Sequence, residues 1–374
     1  MQKSGAQTME IETANERVLG DKRTHRQQRE PRHRRAMRSR TKRLLLMLTV
    51  LACTVGVIGA AVHFSQHQSA KAESTSTAVK KGAKAAVGKR TQHVKIPASP
   101  RETASTVKLD KEVVSKYAIL IDLKTNTVLA EKNPDAVINP ASMTKIMTAL
   151  VAAEHQKNPN ALCTITSDVT DYCFRNECSA VNFCVGEQVS VRDLFYGTIL
   201  PSGADAAMTL AKCTGGSQQG FVALMNKKLK ALGLSKTAHF TNCIGLYDKN
   251  HHCTVRDMAV ILRAAVKNDF CRQVLSARTY TITPTAQHPN GLTVSNWFLR
   301  RIEDKDMGGI SVQCAKTGYI HQSGSCAASY ATDAAGNGYI CVTGMSTSSW
   351  RCIYDQVALY RQFAATAHAG NSAK

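Results

Sequence analysis

Residues 140–151 read Pro140-Ala141-Ser142-Met143-Thr144-Lys145-Ile146-Met147-Thr148-Ala149-Leu150-Val151. Met143, Ile146, Met147, Leu150 and Val151 recur at i, i+3, i+4, i+7 and i+8, so one apolar stripe runs down a helix entered through Pro140. Ser142 and Lys145 stand three positions apart at its start. On a helix that spacing puts both side chains on one face, with Cβ atoms roughly 5–6 Å apart. A helix N-terminus also offers a positive dipole end and free N–H groups. A serine hydroxyl is a weak nucleophile until a base takes its proton, and lysine serves only when burial or a neighbouring cation lowers its pKa. Taken alone, the pair reads better as a helix cap and a solvated lysine.

Two later strings change that reading. Ser202-Gly203-Ala204 follows Ser142 by 60 residues, and Lys316-Thr317-Gly318 follows Ser202 by 114. The first adds a hydroxyl able to relay protons. The second adds a cation and a hydroxyl suited to a carboxylate, and Lys316 is the cation expected to depress Lys145.

Around these strings the period alternates. Tyr117–Asp122 and Thr127–Ala130 are apolar runs separated by Lys124-Thr125-Asn126, a hairpin signal. Residues 190–213 predict two helices broken at Pro201-Ser202-Gly203, and Phe221–Leu232 a third. Thr254 with Asp257 three residues on predicts a capping box opening a helix to Val266. After Gln313 the period falls to two. Ser311–Tyr319, Ser325–Ala331 and Gly338–Met345 predict an antiparallel meander, closed by a helix over Arg351–Ala364. Strands, a helical block, then strands and a terminal helix imply an α+β domain whose sheet is completed by both ends of the chain.

The net charge of +21 belongs to the flanks: residues 1–43 hold thirteen Lys/Arg against five Asp/Glu, and 65–110 hold nine against three. No nucleic-acid module or basic patch interleaved with aromatics is present, so no nucleic-acid partner is expected. Residues 44–64 carry no charge and are long enough to span roughly 30 Å of hydrocarbon. With Arg32, Arg34, Arg35, Arg38, Arg40, Lys42 and Arg43 before it, this segment predicts a single-pass anchor in the cell membrane. The N-terminus would be cytoplasmic and the remainder extracytoplasmic. Ala70-Lys71-Ala72 offers a cleavage alternative, but the apolar run is longer than a signal peptide needs. Residues 65–106, poor in large apolar groups, read as a flexible linker before a domain at 107–366 and a tail at 367–374.

Of thirteen cysteines, twelve lie beyond the apolar segment. An even dozen outside the membrane predicts disulfides, several of them stapling Cys163–Cys184 and closing the Cys243–Cys253 loop. A metal site is not expected, because there is no C-x-x-C pair and Cys173, Cys178 and Cys184 lack a matching His or Cys set in sequence.

Five strings together resemble the serine-type D-alanyl-D-alanine carboxypeptidases, low-molecular-mass penicillin-binding proteins. They are Pro140–Leu150, Leu200-Pro-Ser-Gly-Ala-Asp-Ala-Ala207, Thr241-Asn-Cys-Ile-Gly-Leu246, the His251/His252 to Ala259 stretch, and Lys316-Thr-Gly-Tyr319. The resemblance covers about 105–365. It implies a five-stranded antiparallel sheet flanked by helices, beside a helical lobe, as in serine β-lactamases. It makes Ser142 the acylated nucleophile, Lys145 the base and Ser202 the relay. Lys316, Thr317 and Arg351 would hold the terminal carboxylate, and Gly318 would let the peptide lie against the strand edge. The N–H groups of Ser142 and Tyr319 would form the oxyanion hole. Peptidoglycan stem peptides are the implied substrates and β-lactams the implied acylating inhibitors, with no cofactor and no metal. Asn242 and Gly245-Leu246 read as a loop lock, and His251 and His252 as structural. A class A β-lactamase fits less well, since no E-x-x-x-N string follows Ser202. The family usually carries Asn where Ala204 stands; losing one such hydrogen bond costs about a decade in rate, not all activity. An endopeptidase on the same site, or a silent wall-binding module, remains open.

Overall fold

The computed structural model describes residues 99–368. The basic segment 1–43, the apolar stretch 44–64 and most of the 65–106 linker lie outside these residues. Among the described residues no helix is long and apolar enough to cross a membrane.

The strands are β1 (Val107–Lys108), β2 (Tyr117–Asp122), β3 (Thr127–Lys132), β4 (Leu162–Thr164), β5 (Gln188–Ser190), β6 (Thr279–Ile282), β7 (Leu292–Ser295), β8 (Ser311–Ile320), β9 (Gly324–Thr332) and β10 (Gly338–Ser346). The helices are α1 (Thr144–His155), α2 (Ser167–Arg175), α3 (Val191–Ile199), α4 (Ala204–Gly215), α5 (Gln218–Ala231), α6 (Val255–Lys267), α7 (Asp269–Ser276), α8 (Trp297–Ile302) and α9 (Ser349–Leu359). The main sheet runs β1-β3-β2-β10-β9-β8, so the N-terminal hairpin and the C-terminal meander meet at the β2–β10 seam. It has six strands, not five. The extra one is the two-residue β1, which pairs parallel to the β3 edge.

Residues 99–106 are not free linker either. Arg101 bridges to Thr127, and Thr106 Oγ1 donates to the Val128 carbonyl at 2.7 Å. An open β3 edge presents unpaired backbone groups, and this segment satisfies several of them.

Both faces of the sheet are covered, which is why β2 reads as a continuous apolar run rather than an alternating one. Ile119 and Ile121 pack with Met143, Ile146, Leu150 and Ile261 on one side. Ala118 and Leu120 pack with Phe298, Leu299, Ile353 and Leu359 on the other. The first core continues into the helical lobe around α1, α3 and α4. Thr254 caps α6 as expected: its Oγ1 accepts from Asp257 N–H at 3.0 Å while Asp257 Oδ2 accepts from Thr254 N–H at 2.9 Å.

The cysteines depart from expectation. Cys163 pairs with Cys213, fifty residues on, while the ten other described cysteines are free thiols, eight of them buried. The sheet register accounts for three of them. Cys341 stands opposite Leu120 and Ser329, Cys326 opposite Gly318, and Cys314 opposite Tyr330, so no two sulfurs share a rung. Nor does Cys243 close a loop with Cys253: its Sγ is turned to Gln218 Oε1 at 3.0 Å.

Candidate active site

Pro140 and Ala141 deliver Ser142 on a tight turn. Ala141 holds φ at +46°, and residues 141–143 form one 3-10 turn that runs into α1. A positive φ at a residue with a Cβ is strained and persists only where its surroundings hold it. Two contacts do so here. Ala141 N–H donates to Asn139 Oδ1 at 3.0 Å, and Gly245 packs against the Ala141 carbonyl so closely that a Cβ there would lie 1.8 Å from its oxygen.

The strings distant in sequence converge on this turn. Lys145 Nζ lies 3.0 Å from Ser142 Oγ and donates to the Ile244 carbonyl at 2.9 Å. That carbonyl is fixed by Asn242, whose Oδ1 accepts from the N–H groups of Ile244, Gly245 and Leu246 at 3.2, 2.7 and 3.2 Å. Asn242 thus locks the loop that positions the lysine. Lys316, on β8, reaches Ser202 Oγ at 2.9 Å and the Thr317 carbonyl at 2.8 Å. Ser202 sits at φ +65° in the break between α3 and α4, a second strained residue at the site.

Gly318 has a structural reason beyond access for a ligand. A Cβ at this position would lie 2.9 Å from Ser142 N and 2.8 Å from Cys326 Sγ, so only glycine lets β8 come this near the turn. Tyr319 follows, with its ring two-thirds exposed.

Both lysines are buried, each 2% exposed. Burial brings the Lys145 ammonium down to about 8, because the charged form is stripped of water. Lys316 is pushed well below its ordinary value, first by burial and then by the Lys145 charge. The sequence reading made Lys316 the cause of the Lys145 shift; the cause is desolvation by burial.

Ser142, Ser202, Thr317, Gly318 and Tyr319 line one cavity of about 620 Å³. Arg301 also lines it, held between two indole rings, 5.1 Å from the Trp297 centroid and 4.7 Å from that of Trp350. Arg351 does not line it. Its Nε is 3.5 Å from Asp355 Oδ1, and Asp355 in turn accepts from Ser115 N–H and Oγ–H. The cavity-facing arginine therefore comes from α8. That helix is six residues long, too short for a periodic pattern to reveal it in sequence.

The remaining polar groups are structural. His251 Nδ1 accepts from Thr241 N–H at 3.1 Å, and its Nε2 then donates to Thr144 Oγ1 at 2.8 Å. Burial lowers its pKa to about 4, so the ring stays neutral and props α1. Ala204 is 2% exposed, its N–H bound to the Ser179 carbonyl at 2.7 Å. Asp205 does not turn into the space beside it: its carboxylate accepts from the N–H groups of Val181, Asn182 and Phe183.

The D-alanyl-D-alanine carboxypeptidase family model, peptidase S11, matches residues 102–345. The D-alanyl-D-alanine carboxypeptidase of Streptomyces sp. (strain K15) is 36% identical over 180 residues, 46% of this chain and 62% of its own. DacA of Escherichia coli K12 is 33% identical over 223 residues, 57% of this chain and 52% of its own. A D-alanyl-D-alanine endopeptidase of Pseudomonas aeruginosa is 31% identical over 234 residues, 62% and 71% respectively. The chain thus spans about half to two thirds of these relatives. Among solved structures, the Streptomyces K15 DD-transpeptidase superposes with a TM-score of 0.60 at 30% identity, covering 67% of this chain and 97% of that one. The α+β architecture is that of the DD-peptidases, and the chain belongs to the D-alanyl-D-alanine carboxypeptidase family, peptidase S11.

Proposed function

We propose that this protein is a serine D-alanyl-D-alanine carboxypeptidase acting on peptidoglycan stem pentapeptides. The observation that carries the reading is the pair of short contacts in one cavity, Lys145 Nζ to Ser142 Oγ at 3.0 Å and Lys316 Nζ to Ser202 Oγ at 2.9 Å. With a pKa of about 8, roughly a tenth of the Lys145 side chains are neutral at pH 7 and able to accept the Ser142 proton. Ser142 Oγ attacks the carbonyl carbon of the penultimate D-alanine. The oxyanion that forms lies against the N–H groups of Ser142 and Tyr319. The C–N bond then breaks, D-alanine leaves with a proton passed through Ser202, and water hydrolyses the Ser142 ester. Because Lys316 donates to Ser202 Oγ, the serine's own hydrogen remains free for that transfer.

The substrate's terminal carboxylate meets Lys316, Thr317 and Arg301, a guanidinium fork suited to two oxygens. Its negative charge returns to Lys316 the proton affinity that burial removes. Arg351, paired with Asp355, is left out of this grip. The uncharged stretch 44–64 and its basic flank support an N-terminal membrane anchor with the catalytic domain outside the cell, and the Cys163–Cys213 bridge suits an oxidising compartment.

Incubation of the full chain with a stem pentapeptide should release one D-alanine per peptide and leave a tetrapeptide. Cleavage of cross-linked dimers in preference to pentapeptide would replace this reading with the endopeptidase one, and release of nothing would leave a wall-binding module. In the same assay Ala204→Asn should raise kcat/KM by roughly three- to thirtyfold, the worth of one transition-state hydrogen bond. The added amide is buried and must find its partner among Lys145, Ser202 and the substrate. A fall in kcat/KM with unchanged Tm would mean that the methyl at Ala204 keeps space the substrate uses.

A further inference from the structure

Cys184, Glu187 and His288 lie apart in the chain but together in the fold. The first two end the connection between β4 and β5, and the third belongs to the 283–291 connection between β6 and β7. Their ligand-bearing atoms all fall within 4.8 Å of one another. None of the three lines the cavity around Ser142.

The cluster is held from within. Glu187, with its side chain fully buried, accepts at Oε1 from Thr285 Oγ1 at 2.6 Å and from His288 Nδ1 at 2.9 Å. Its Oε2 accepts from Cys184 N–H at 2.8 Å, which fixes the backbone that carries the thiol. His288 keeps a ring nitrogen and a fifth of its surface open, and Cys184 is exposed. Glu187 Oε1 and His288 Nδ1 face one another across a single proton, and an ion bound to both would take that proton's place.

We propose that Cys184, Glu187 and His288 bind a divalent transition ion of the zinc class. The donor set argues for this class. One sulfur, one imidazole nitrogen and one carboxylate oxygen suit a borderline-soft ion, whereas calcium and magnesium prefer all-oxygen sites. Size agrees as well. Bonds of about 2.0–2.3 Å in a tetrahedron set ligand atoms roughly 3.3–3.8 Å apart, within about an ångström of the spacing already present. The thiol gives its proton to solvent as the sulfur ligates, and water takes the fourth position. Bound there, the ion clamps two connections that are 101 residues apart from Glu187 to His288. That separation is why the residues do not announce themselves as a metal motif in sequence.

The test uses the full chain in detergent, stripped of metal and kept reduced with a phosphine, and titrated with Co²⁺. One equivalent should bind with a near-ultraviolet thiolate-to-cobalt absorption that Zn²⁺ abolishes. Cys184→Ser, at an exposed position, should lose the absorption and weaken Zn²⁺ binding by about a hundredfold or more, as should His288→Gln. Cys178→Ser should change neither. Zn²⁺ at about a hundred times its Kd should raise Tm by roughly 5–10 °C in the parent chain and not in Cys184→Ser. Absence of saturable Co²⁺ binding, or an absorption that survives Cys184→Ser, would overturn the assignment. So would an absorption lost in Cys178→Ser, which would place the ion on the other thiols.

Discussion

Replacing Lys145 with methionine should lower kcat/KM for acylation by about 10³–10⁴-fold while leaving the fold intact, because it removes the general base. The side chain is buried, and its ammonium is depressed to about 8 by the loss of water. An unbranched apolar replacement fills a similar volume without a charge to desolvate, which offsets the hydrogen bond lost at the Ile244 carbonyl, so Tm should change little. The same shift sets a pH dependence in the parent enzyme. Only neutral Lys145 can take the Ser142 proton, so kcat/KM should climb close to tenfold per pH unit below about 8 and level off above it. A profile flat from pH 6 to 9, or a methionine variant with near-normal kcat/KM, would remove Lys145 from the role of base.

Gly245→Ala should cost at least about a hundredfold in kcat/KM although residue 245 supplies no reacting group. At φ +83° its added Cβ would sit 1.8 Å from the Ala141 carbonyl oxygen and 3.0 Å from Ser142 N. Both are backbone atoms, with no rotamer to relieve the contact, so the turn carrying Ser142 has to move. Displacing a nucleophile by an ångström is enough for a loss of that size. Gly336→Ala is the control: it shares a positive φ of +79°, but its Cβ would meet nothing within 4 Å. It should lose roughly 1–2 kcal/mol of stability, the left-handed penalty, and keep its activity. Equal activity losses in the two variants would mean that strain, not contact with the Ser142 turn, is responsible.

Much of this site was legible because its parts are periodic or local. The stripe from Met143 to Val151, the break at Pro201-Ser202-Gly203, the Thr254 cap and the C-terminal meander each follow from side-chain spacing alone, and the elements stand where those spacings put them. What was not legible depends on pairing across the chain. The β6–β7 hairpin, α8 and the β1 edge are too short to show a period, and with α8 went Arg301. Arg351 was assigned by position in the family pattern, but its neighbour one turn on, Asp355, draws the guanidinium away from the cavity. The cysteines misled for a related reason. An even count suggests bridges, yet eight of these thiols are buried as small apolar groups, and the sheet register keeps Cys314, Cys326 and Cys341 off shared rungs. Lys145 shows the same dependence on context. Its helix position could be read directly, but the burial that makes it a base comes from the 242–246 loop and β8, about 100 and 170 residues away.

The central claim is that Ser142 is the group acylated by substrate and by β-lactams. Intact-mass spectrometry of the full chain after incubation with benzylpenicillin tests it most directly, followed by peptide mapping of the adduct. The account predicts a single added penicilloyl mass on the peptide containing Ser142, absent in Ser142→Ala and formed far more slowly in Lys145→Met. An adduct that persists in Ser142→Ala, or one that maps to Ser202 or to a cysteine, would contradict it.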